Sequence, residues 1–127
     1  MMIDDEDDYH LITKLTLKKA GFSGRILGFH DAEDALDHLR SMDTKPDLLL
    51  VDINMPGTNG FEFIEKCESE ALLPTSGTTV IMCSSSNRPL DIDTADRLRS
   101  VNGYMEKAID ADKFEWIKNA HLNRQEH

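Results

Sequence analysis

The run Leu48-Leu49-Leu50-Val51-Asp52 constrains the fold of this chain more than any other segment. Four consecutive apolar residues without polar alternation predict a strand buried on both faces, as strands of a parallel sheet are. The run ends with the carboxylate of Asp52. At the end of a parallel strand, this residue would lie at the carboxyl edge of the sheet. Open α/β sheets bind their ligands at that edge. Asp52 is therefore the first candidate for a chemical role.

Strand-like runs alternate with helical patterns along the chain, which is typical of βαβ units. We predict strands over residues 1–3, 25–29, 47–51, 79–83 and 103–105. Helices are predicted after the acidic residues 4–8, over 32–40, from 61, over 90–100 and from 112 to about 123. Right-handed crossovers then give an α/β fold, a three-layer α/β/α sandwich with a five-stranded parallel sheet and five helices. The 127 residues fit one domain.

The first strand and helix carry their own predictions. Three residues are few for a central strand, so either residues precede Met1 in the native chain, which is the preferred interpretation, or the strand is unusually short. The first helix is predicted to have Leu11, Ile12 and Leu15 on one face, Asp7 or Asp8 as its N-cap and Gly21 as its end. The apolar residues that mark the later helices are Ala35, Leu36 and Leu39; Phe61, Ile64 and Cys67; Ala95 and Leu98; and Phe114, Ile117 and Ala120.

The composition excludes several classes of function. A net charge of −10 repels phosphates, which argues against direct binding of nucleic acid. No apolar stretch reaches membrane length and no signal peptide precedes the acidic start, so we expect a cytoplasmic protein without a membrane partner. Cys67 and Cys83 lack metal-site spacing and are interpreted as small hydrophobic residues in a reducing compartment.

Polar side chains follow four of the predicted strands. Asp4 and Asp5 follow the first strand, Asp52 the third, Ser84 the fourth and Lys107 the fifth. Because parallel strands end at one edge, these side chains are expected to share one site. Three neighbouring carboxylates predict a hard divalent cation, and Mg²⁺ fits best. A carboxylate beside Mg²⁺, a lysine and a hydroxyl can accept a phosphoryl group.

Several of these assignments have alternatives. The acidic run 4–8 taken alone is more typical of a solvated surface that caps a helix than of a metal site, and Asp5 with Glu6 is an alternative acidic pair. Ser85 or Ser86 could take the position given to Ser84. Trp116 is either an exposed residue of a partner surface or a core contact.

Four motifs together resemble the response regulator receiver domain family. They are Ile3-Asp4-Asp5, Leu50-Val51-Asp52-Ile53-Asn54-Met55-Pro56-Gly57, Val80-Ile81-Met82-Cys83-Ser84-Ser85 and Gly103-Tyr104-Met105-Glu106-Lys107. The motifs span nearly the whole chain in the family's order. The resemblance implies the flavodoxin-like strand order 2-1-3-4-5 and a single receiver domain over residues 1–127. No output domain follows in the sequence, so we expect a stand-alone regulator or a piece of a larger protein.

The resemblance also implies the roles of the site residues. Asp52 matches the phosphoacceptor, which receives its phosphoryl group from a sensor histidine kinase or a histidine phosphotransfer protein. With Asp52 as a metal ligand, Asp5 matches a direct ligand of Mg²⁺ and Asp4 a ligand through water. The backbone carbonyl of Asn54 matches the third protein ligand.

Three further features of the family concern signalling. Ser84 matches the switch hydroxyl and Lys107 the cation that neutralises a phosphoryl oxygen. Tyr104 matches the aromatic switch, although packing is an equally good interpretation of this residue. The switch acts on an unknown output protein through the face of predicted helix four, strand five and helix five. Homodimerisation is left open by the sequence.

The chain departs from the family at Ala108, where the family usually has a proline, commonly after a cis peptide bond. A cis bond before alanine costs about 2.5–4 kcal/mol. We therefore predict a trans Lys107-Ala108 bond, with Lys107 still directed at Asp52.

The alternative function is a haloacid-dehalogenase-like, metal-dependent phosphatase or phosphotransferase with Asp52 as nucleophile. Such enzymes normally have a second aspartate two residues later as general acid, whereas this chain has Asn54 and no cap domain. A receiver that has lost phosphorylation is a third interpretation, which the complete residue set opposes. The leading prediction is a signalling phosphoacceptor that catalyses only its own phosphorylation and dephosphorylation.

Overall fold

The computed structural model describes residues 1–21, 26–42, 46–55, 57–73, 77–84, 93–94, 97–107 and 109–119. Five strands in this part of the chain form one parallel sheet. They are β1 (Met2–Ile3), β2 (Gly28–Phe29), β3 (Leu48–Asp52), β4 (Thr79–Ser84) and β5 (Gly103–Glu106). The strand order is β2-β1-β3-β4-β5, which confirms the predicted flavodoxin-like order.

Four of the five predicted helices are described. They are α1 (Asp7–Lys19), α2 (Ala32–Ser41), α3 (Gly60–Ser69) and α4 (Ala111–Ile117), the last of which corresponds to the predicted fifth helix. Of the helix predicted over residues 90–100, positions 93, 94 and 97 are helical, and residues 90–92 and 95–96 lie outside the described part. Helix α4 ends at Ile117, residues 118 and 119 continue as π-helix, and residues 120–123 of the predicted helix lie outside the described part. Among the described residues, none of the helices is both long and apolar enough to cross a bilayer.

Alternate residues of the central strands supply two separate cores. Leu49 and Val51 pack into a core with the inner faces of α2 and α3, and Leu48 and Leu50 pack into a second core with α1 and α4. Because successive side chains of a strand point to opposite faces, an uninterrupted apolar strand fills both cores at once. The helical contributions to the two cores are Ala35, Leu36, Leu39, Phe63, Ile64 and Cys67 on one side and Leu17, Phe114 and Ile117 on the other.

Helix α1 turns a different face to the sheet than its aliphatic residues indicate. Leu11, Ile12 and Leu15 are 59%, 44% and 51% exposed. The buried residues of α1 are His10, Thr13 and Leu17. A hydrogen bond ties His10 to the turn after β1 and sets the rotation of the helix, which leaves the aliphatic stripe on the outside.

The caps of α1 also differ in part from the prediction. The N-cap is Glu6, whose side chain makes no capping hydrogen bond, and Asp7 and Asp8 lie in the first turn. The positive end of the helix dipole still stabilises their negative charges at these positions. At the other end α1 stops at Lys19, and Gly21 follows with a φ of +89°, as predicted for the residue that ends this helix.

The start of α3 lies tightly against the end of β3. The amide of Gly60 donates to the carbonyl of Ile53 at 3.0 Å. A Cβ at position 60 would lie 2.3 Å from the backbone oxygen of Asp52, so only glycine fits this contact. Asn59 and Glu62 form a capping box that defines where the helix begins. The loop after Asp52 is thereby held between β3 and α3.

Candidate functional site

The parallel sheet brings three predicted site residues to one edge. Asp52 is the last residue of β3, Asp4 directly follows β1 and Lys107 directly follows β5. The amide of Lys107 donates to the carbonyl of Ser84 at 2.7 Å, which fixes the chain where it leaves β5. Asp4 and Asp52 are both buried at this edge.

The ammonium of Lys107 is shared between the two buried carboxylates. Its Nζ lies 2.8 Å from Asp4 Oδ2 and 3.2 Å from Asp52 Oδ1. A third carboxylate, that of Glu6, is 3.9 Å from the same nitrogen. One cation thus faces three anions, and negative charge remains in excess at the site.

The balance of burial and charge shifts the pKa of two groups. Burial and the neighbouring carboxylate of Asp4 raise the pKa of Asp52 to about 6, against the opposing charge of Lys107. Burial works to lower the pKa of Lys107, but its hydrogen bond to Asp4 and the charges of Asp52 and Asp4 outweigh it, so the pKa is raised. The lysine is therefore an ammonium at neutral pH, and a further cation near Asp52 would relieve the remaining repulsion.

The donor atoms of the turn after β1 fit a hard divalent cation. Carboxylate oxygens of Asp4, Asp5 and Glu6 lie within 4.8 Å of one another, with Asp4 buried and the other two exposed. All of these donors are oxygens, which Mg²⁺ and Ca²⁺ prefer. The excess negative charge around Lys107 provides a physical reason for a cation at this position.

Asn54 and Ser84 complete the surroundings of Asp52. The amide of Asn54 donates to Asp52 Oδ1 at 3.3 Å, and its side-chain Nδ2 donates to Ser84 Oγ at 3.4 Å. Ser84 is fully buried at the end of β4. The two alternatives to Ser84, Ser85 and Ser86, lie outside the described residues. Asn54 carries an amide and so cannot act as the general acid that the phosphatase alternative needs.

Two residues of the site were not singled out from the sequence. Glu6 entered only as part of an alternative acidic pair, yet its carboxylate faces Lys107. The centroid of the Tyr9 ring lies 4.3 Å from Lys107 Nζ. This cation–π contact covers the side of the ammonium that faces α1. The available signal for Tyr9 was its position in the sequence, one helical turn after Asp5.

The space beside these side chains is small. A cavity of about 20 Å³ borders Asp4, Tyr9, Asp52 and Lys107 and has room for about one water molecule. Tyr9 and Thr13 of α1 are among its lining residues, so the cavity lies on the side of the sheet that α1 covers. The cavity therefore suits a solvent molecule at the edge of the carboxylate pair.

The remaining predicted positions have mixed outcomes. Lys107 points at Asp52 as expected, but its peptide bond to Ala108 lies outside the described residues. Tyr104 is half-buried against the core on the side of α2 and α3, and its role as a switch stays a prediction. Trp116 is 52% exposed, which favours the surface interpretation of this residue over the core one.

Known families and structures resemble the chain over nearly its full length. The response regulator receiver domain family matches residues 1–117. A two-component response regulator from Cytophaga hutchinsonii superposes with a TM-score of 0.85 at 27% identity, over 96% of this chain and 94% of that one. A CheY-like receiver domain protein from Methanospirillum hungatei gives a TM-score of 0.74 at 22% identity, over 100% and 96% of the two chains. The second likeness supports the fold alone.

Curated relatives agree with the family match. The nitrate/nitrite response regulator NarL of Escherichia coli is 38% identical over 80 residues, which are 63% of this chain and 34% of NarL. The transcriptional regulatory protein CpxR of Escherichia coli is 35% identical over 91 residues, 72% of this chain and 35% of CpxR. The chain thus spans about a third of the length of either relative. With residues 1–117 matched and the fold shared, the chain belongs to the response regulator receiver domain family of two-component signalling.

Proposed function

We propose that Asp52 accepts a phosphoryl group from a phosphohistidine, in a reaction that depends on Mg²⁺. The donor is a sensor histidine kinase or a histidine phosphotransfer protein. The observation that carries this proposal is the ammonium of Lys107, which contacts the buried carboxylates of Asp4 and Asp52 together. A nucleophilic carboxylate beside a fixed cation and an acidic turn is the arrangement that phosphoryl transfer needs.

In the transfer step, a carboxylate oxygen of Asp52 forms a bond to phosphorus while the bond from phosphorus to the histidine nitrogen breaks. The leaving imidazole keeps the electron pair of that bond. Lys107 lies 3.2 Å from Asp52 Oδ1 and can follow the charge onto a phosphoryl oxygen. Such positioning and neutralisation of charge account for most of the catalysis in this chemistry.

Mg²⁺ bound at this edge would neutralise phosphoryl oxygens during the transfer. Asp4 and Asp5 on the turn after β1, together with Asp52 and the backbone carbonyl of Asn54, are the residues that would hold it. The exposed carboxylate of Asp5 and the buried one of Asp4 are consistent with one direct ligand and one that acts through water.

The output of the domain would be a change in protein binding rather than turnover of a substrate. Ser84 lies beside the Asp52 loop, where its hydroxyl can meet a phosphoryl oxygen, and Tyr104 on β5 would report this change to a partner. Dimer formation is a second form that such an output can take. A reducing cytoplasm, where sensor kinases present their phosphohistidines, is the proposed location.

Chemical phosphorylation tests the proposal. The chain is incubated with acetyl phosphate and Mg²⁺ and then resolved on a phosphate-affinity gel. Wild type and the surface variant Asp37→Asn are expected to shift equally, whereas Asp52→Asn stays unshifted. Binding of beryllofluoride to wild type and not to Asp52→Asn gives a second readout.

Two results would contradict the proposal. Equal labelling of Asp52→Asn would remove Asp52 as the acceptor. Sustained, fast hydrolysis of small phosphomonoesters by wild type would instead identify a turnover enzyme of the phosphatase class.

A further inference from the structure

A buried histidine holds the turn that carries the acidic residues. His10 on α1 is only 7% exposed, and its Nε2 lies 2.7 Å from the backbone carbonyl of Asp4. A carbonyl oxygen can only accept, so the ring donates its Nε2 proton. The bond joins the first turn of α1 to Asp4, the residue that directly follows β1.

The strand beside β1 is shaped to seat this imidazole ring. A Cβ at Gly28 in β2 would lie 2.3 Å from His10 Nδ1 and 2.8 Å from Cε1. Real Cβ contacts essentially never fall below 3.0 Å, so a side chain at position 28 is incompatible with the ring where it lies. Gly28 pairs in register with Met2, two residues before Asp4. The absence of a side chain at position 28 thus gives His10 its place above the sheet.

A second histidine covers the exposed side of the ring. The rings of His10 and His30 are stacked, with centroids 4.7 Å apart and planes within 8°. His30 in turn pairs through its Nε2 with the carboxylate of Asp7 in the first turn of α1. We call these residues, with Gly28, the histidine clamp. The clamp links α1, the end of β1 and the segment after β2.

The Asp4 residue that the clamp holds is fixed at every polar group. Its amide donates to the carbonyl of Phe29 at 3.0 Å, and its carboxylate accepts from the amide of Glu6 at 2.9 Å and from Lys107. The hydrogen bond from His10 to its carbonyl sets the plane of the peptide bond that leads to Asp5. That plane includes the amide nitrogen and the Cα of Asp5, from which the Asp5 side chain leaves the turn.

We propose that His10 is a positioning residue for divalent cation binding, because its hydrogen bond to the Asp4 carbonyl orients the turn that presents the carboxylates of Asp4 and Asp5. The inference rests on the proposed Mg²⁺ site. Residues that orient metal ligands through a hydrogen bond typically change metal affinity 10–100-fold when they are removed. His10 takes no part in the transfer itself and touches no reacting atom.

The test is calorimetric titration of the whole chain with MgCl₂. His10→Leu removes the donor, whereas His10→Gln keeps an NH₂ group near the position of Nε2. We expect the Kd for Mg²⁺ to rise about 10-fold or more in His10→Leu and to stay within about 3-fold of wild type in His10→Gln. Leu17→Ala, on the buried face of the same helix but away from the turn, controls for lost stability and should bind as wild type does.

A kinetic readout separates positioning from catalysis. In His10→Leu the Mg²⁺ concentration for half-maximal phosphorylation by acetyl phosphate should rise with the Kd, while the rate at saturating Mg²⁺ stays close to that of wild type. If His10→Leu does not fold, Gly28→Ala displaces the ring from its seat and should weaken Mg²⁺ binding in the same way.

The outcomes distinguish this inference from the proposed function. Wild type that binds no Mg²⁺ would contradict the metal site itself. Wild type that binds, with His10→Leu binding equally well, would overturn only the role of His10. Loss of affinity in His10→Leu, His10→Gln and Leu17→Ala alike would show that stability, not the hydrogen bond, governs binding.

Discussion

Replacement of Asp52 by asparagine should stabilise the metal-free protein at neutral pH. Asp52 and Asp4 are both buried, and they share one ammonium. The asparagine side chain would keep an oxygen for the amide of Asn54 and would leave Lys107 paired with Asp4. The substitution therefore removes a repulsive charge without leaving the lysine unpaired.

The raised pKa of Asp52 sets the size of the effect. Burial first, and Asp4 second, raise this pKa from 3.8 to about 6. A shift of this size corresponds to at most about 3 kcal/mol, because one pKa unit is worth about 1.4 kcal/mol. Water at the edge of the sheet screens the charges, so we expect about 1–2 kcal/mol.

The sign of the pH dependence follows from the direction of the shift. Above pH 4 the unfolded chain ionises Asp52, whereas the folded chain ionises it only near pH 6. The stabilising contribution of the protonated group is complete below pH 4 and is lost as the pH rises through about 6. Above pH 6 the charged Asp52 carries its full cost, and Asp52→Asn does not.

Urea unfolding in EDTA at several pH values measures this difference. Between pH 4 and 6 the free energy of unfolding of wild type should decline relative to that of Asp52→Asn, until the variant is the more stable at pH 7. Asp37→Asn, an exposed carboxylate on α2, should follow wild type across this range. A variant that is less stable than wild type at pH 7, with an unchanged m value, would refute the reasoning.

Four other outcomes follow from the structure. Gly60→Ala should lower the free energy of unfolding by about 1–3 kcal/mol, because its Cβ would meet backbone atoms of Asp52. Gly77→Ala, whose Cβ would meet nothing within 4 Å, should not destabilise the protein, and equal urea midpoints for the two variants would contradict this. Phe63→Ala removes a fully buried ring and should lower the free energy of unfolding by about 3–5 kcal/mol. A decrease below about 1 kcal/mol in the same assay would be inconsistent with that burial. Burial raises the pKa of the Cys83 thiol to about 12, so iodoacetamide at pH 8 should modify it only after denaturation; labelling of the native chain would show the opposite. Millimolar Mg²⁺ should raise the Tm of wild type, and an unchanged Tm would count against the metal site.

The architecture was predictable because its rules are local or general. The apolar run before Asp52 predicted a strand buried on both faces, and Leu49 and Leu50 do enter opposite cores. The strand order was implied by the family resemblance and is observed. The cap of α2 also follows from local chemistry, since the carboxylate of Asp31 accepts from the amide of Asp34 at 2.8 Å. Such features depend on neighbours within a few residues or on the handedness of crossovers.

The rotation of α1 could not be predicted in the same way. Its largest aliphatic residues, Leu11, Ile12 and Leu15, suggest an inward face, and the opposite side of the helix is buried. The contacts that decide the rotation join His10 to Asp4 and to Gly28, which lies on another strand. The spacing of apolar residues within α1 contains no information about a contact with Gly28, which belongs to a strand later in the chain.

At the site, the positions of the strand ends could be predicted from the sequence, whereas the directions of the side chains could not. The rule that parallel strands end at one edge was sufficient to bring Asp4, Asp52 and Lys107 together. It could not show that Lys107 would be shared between two buried carboxylates, since that depends on how far each side chain reaches. Two buried anions beside one cation cost stability in the absence of a further charge. A chain under selection for stability alone would lose one of the carboxylates, so their joint presence supports the proposal of a cation-dependent phosphoacceptor site.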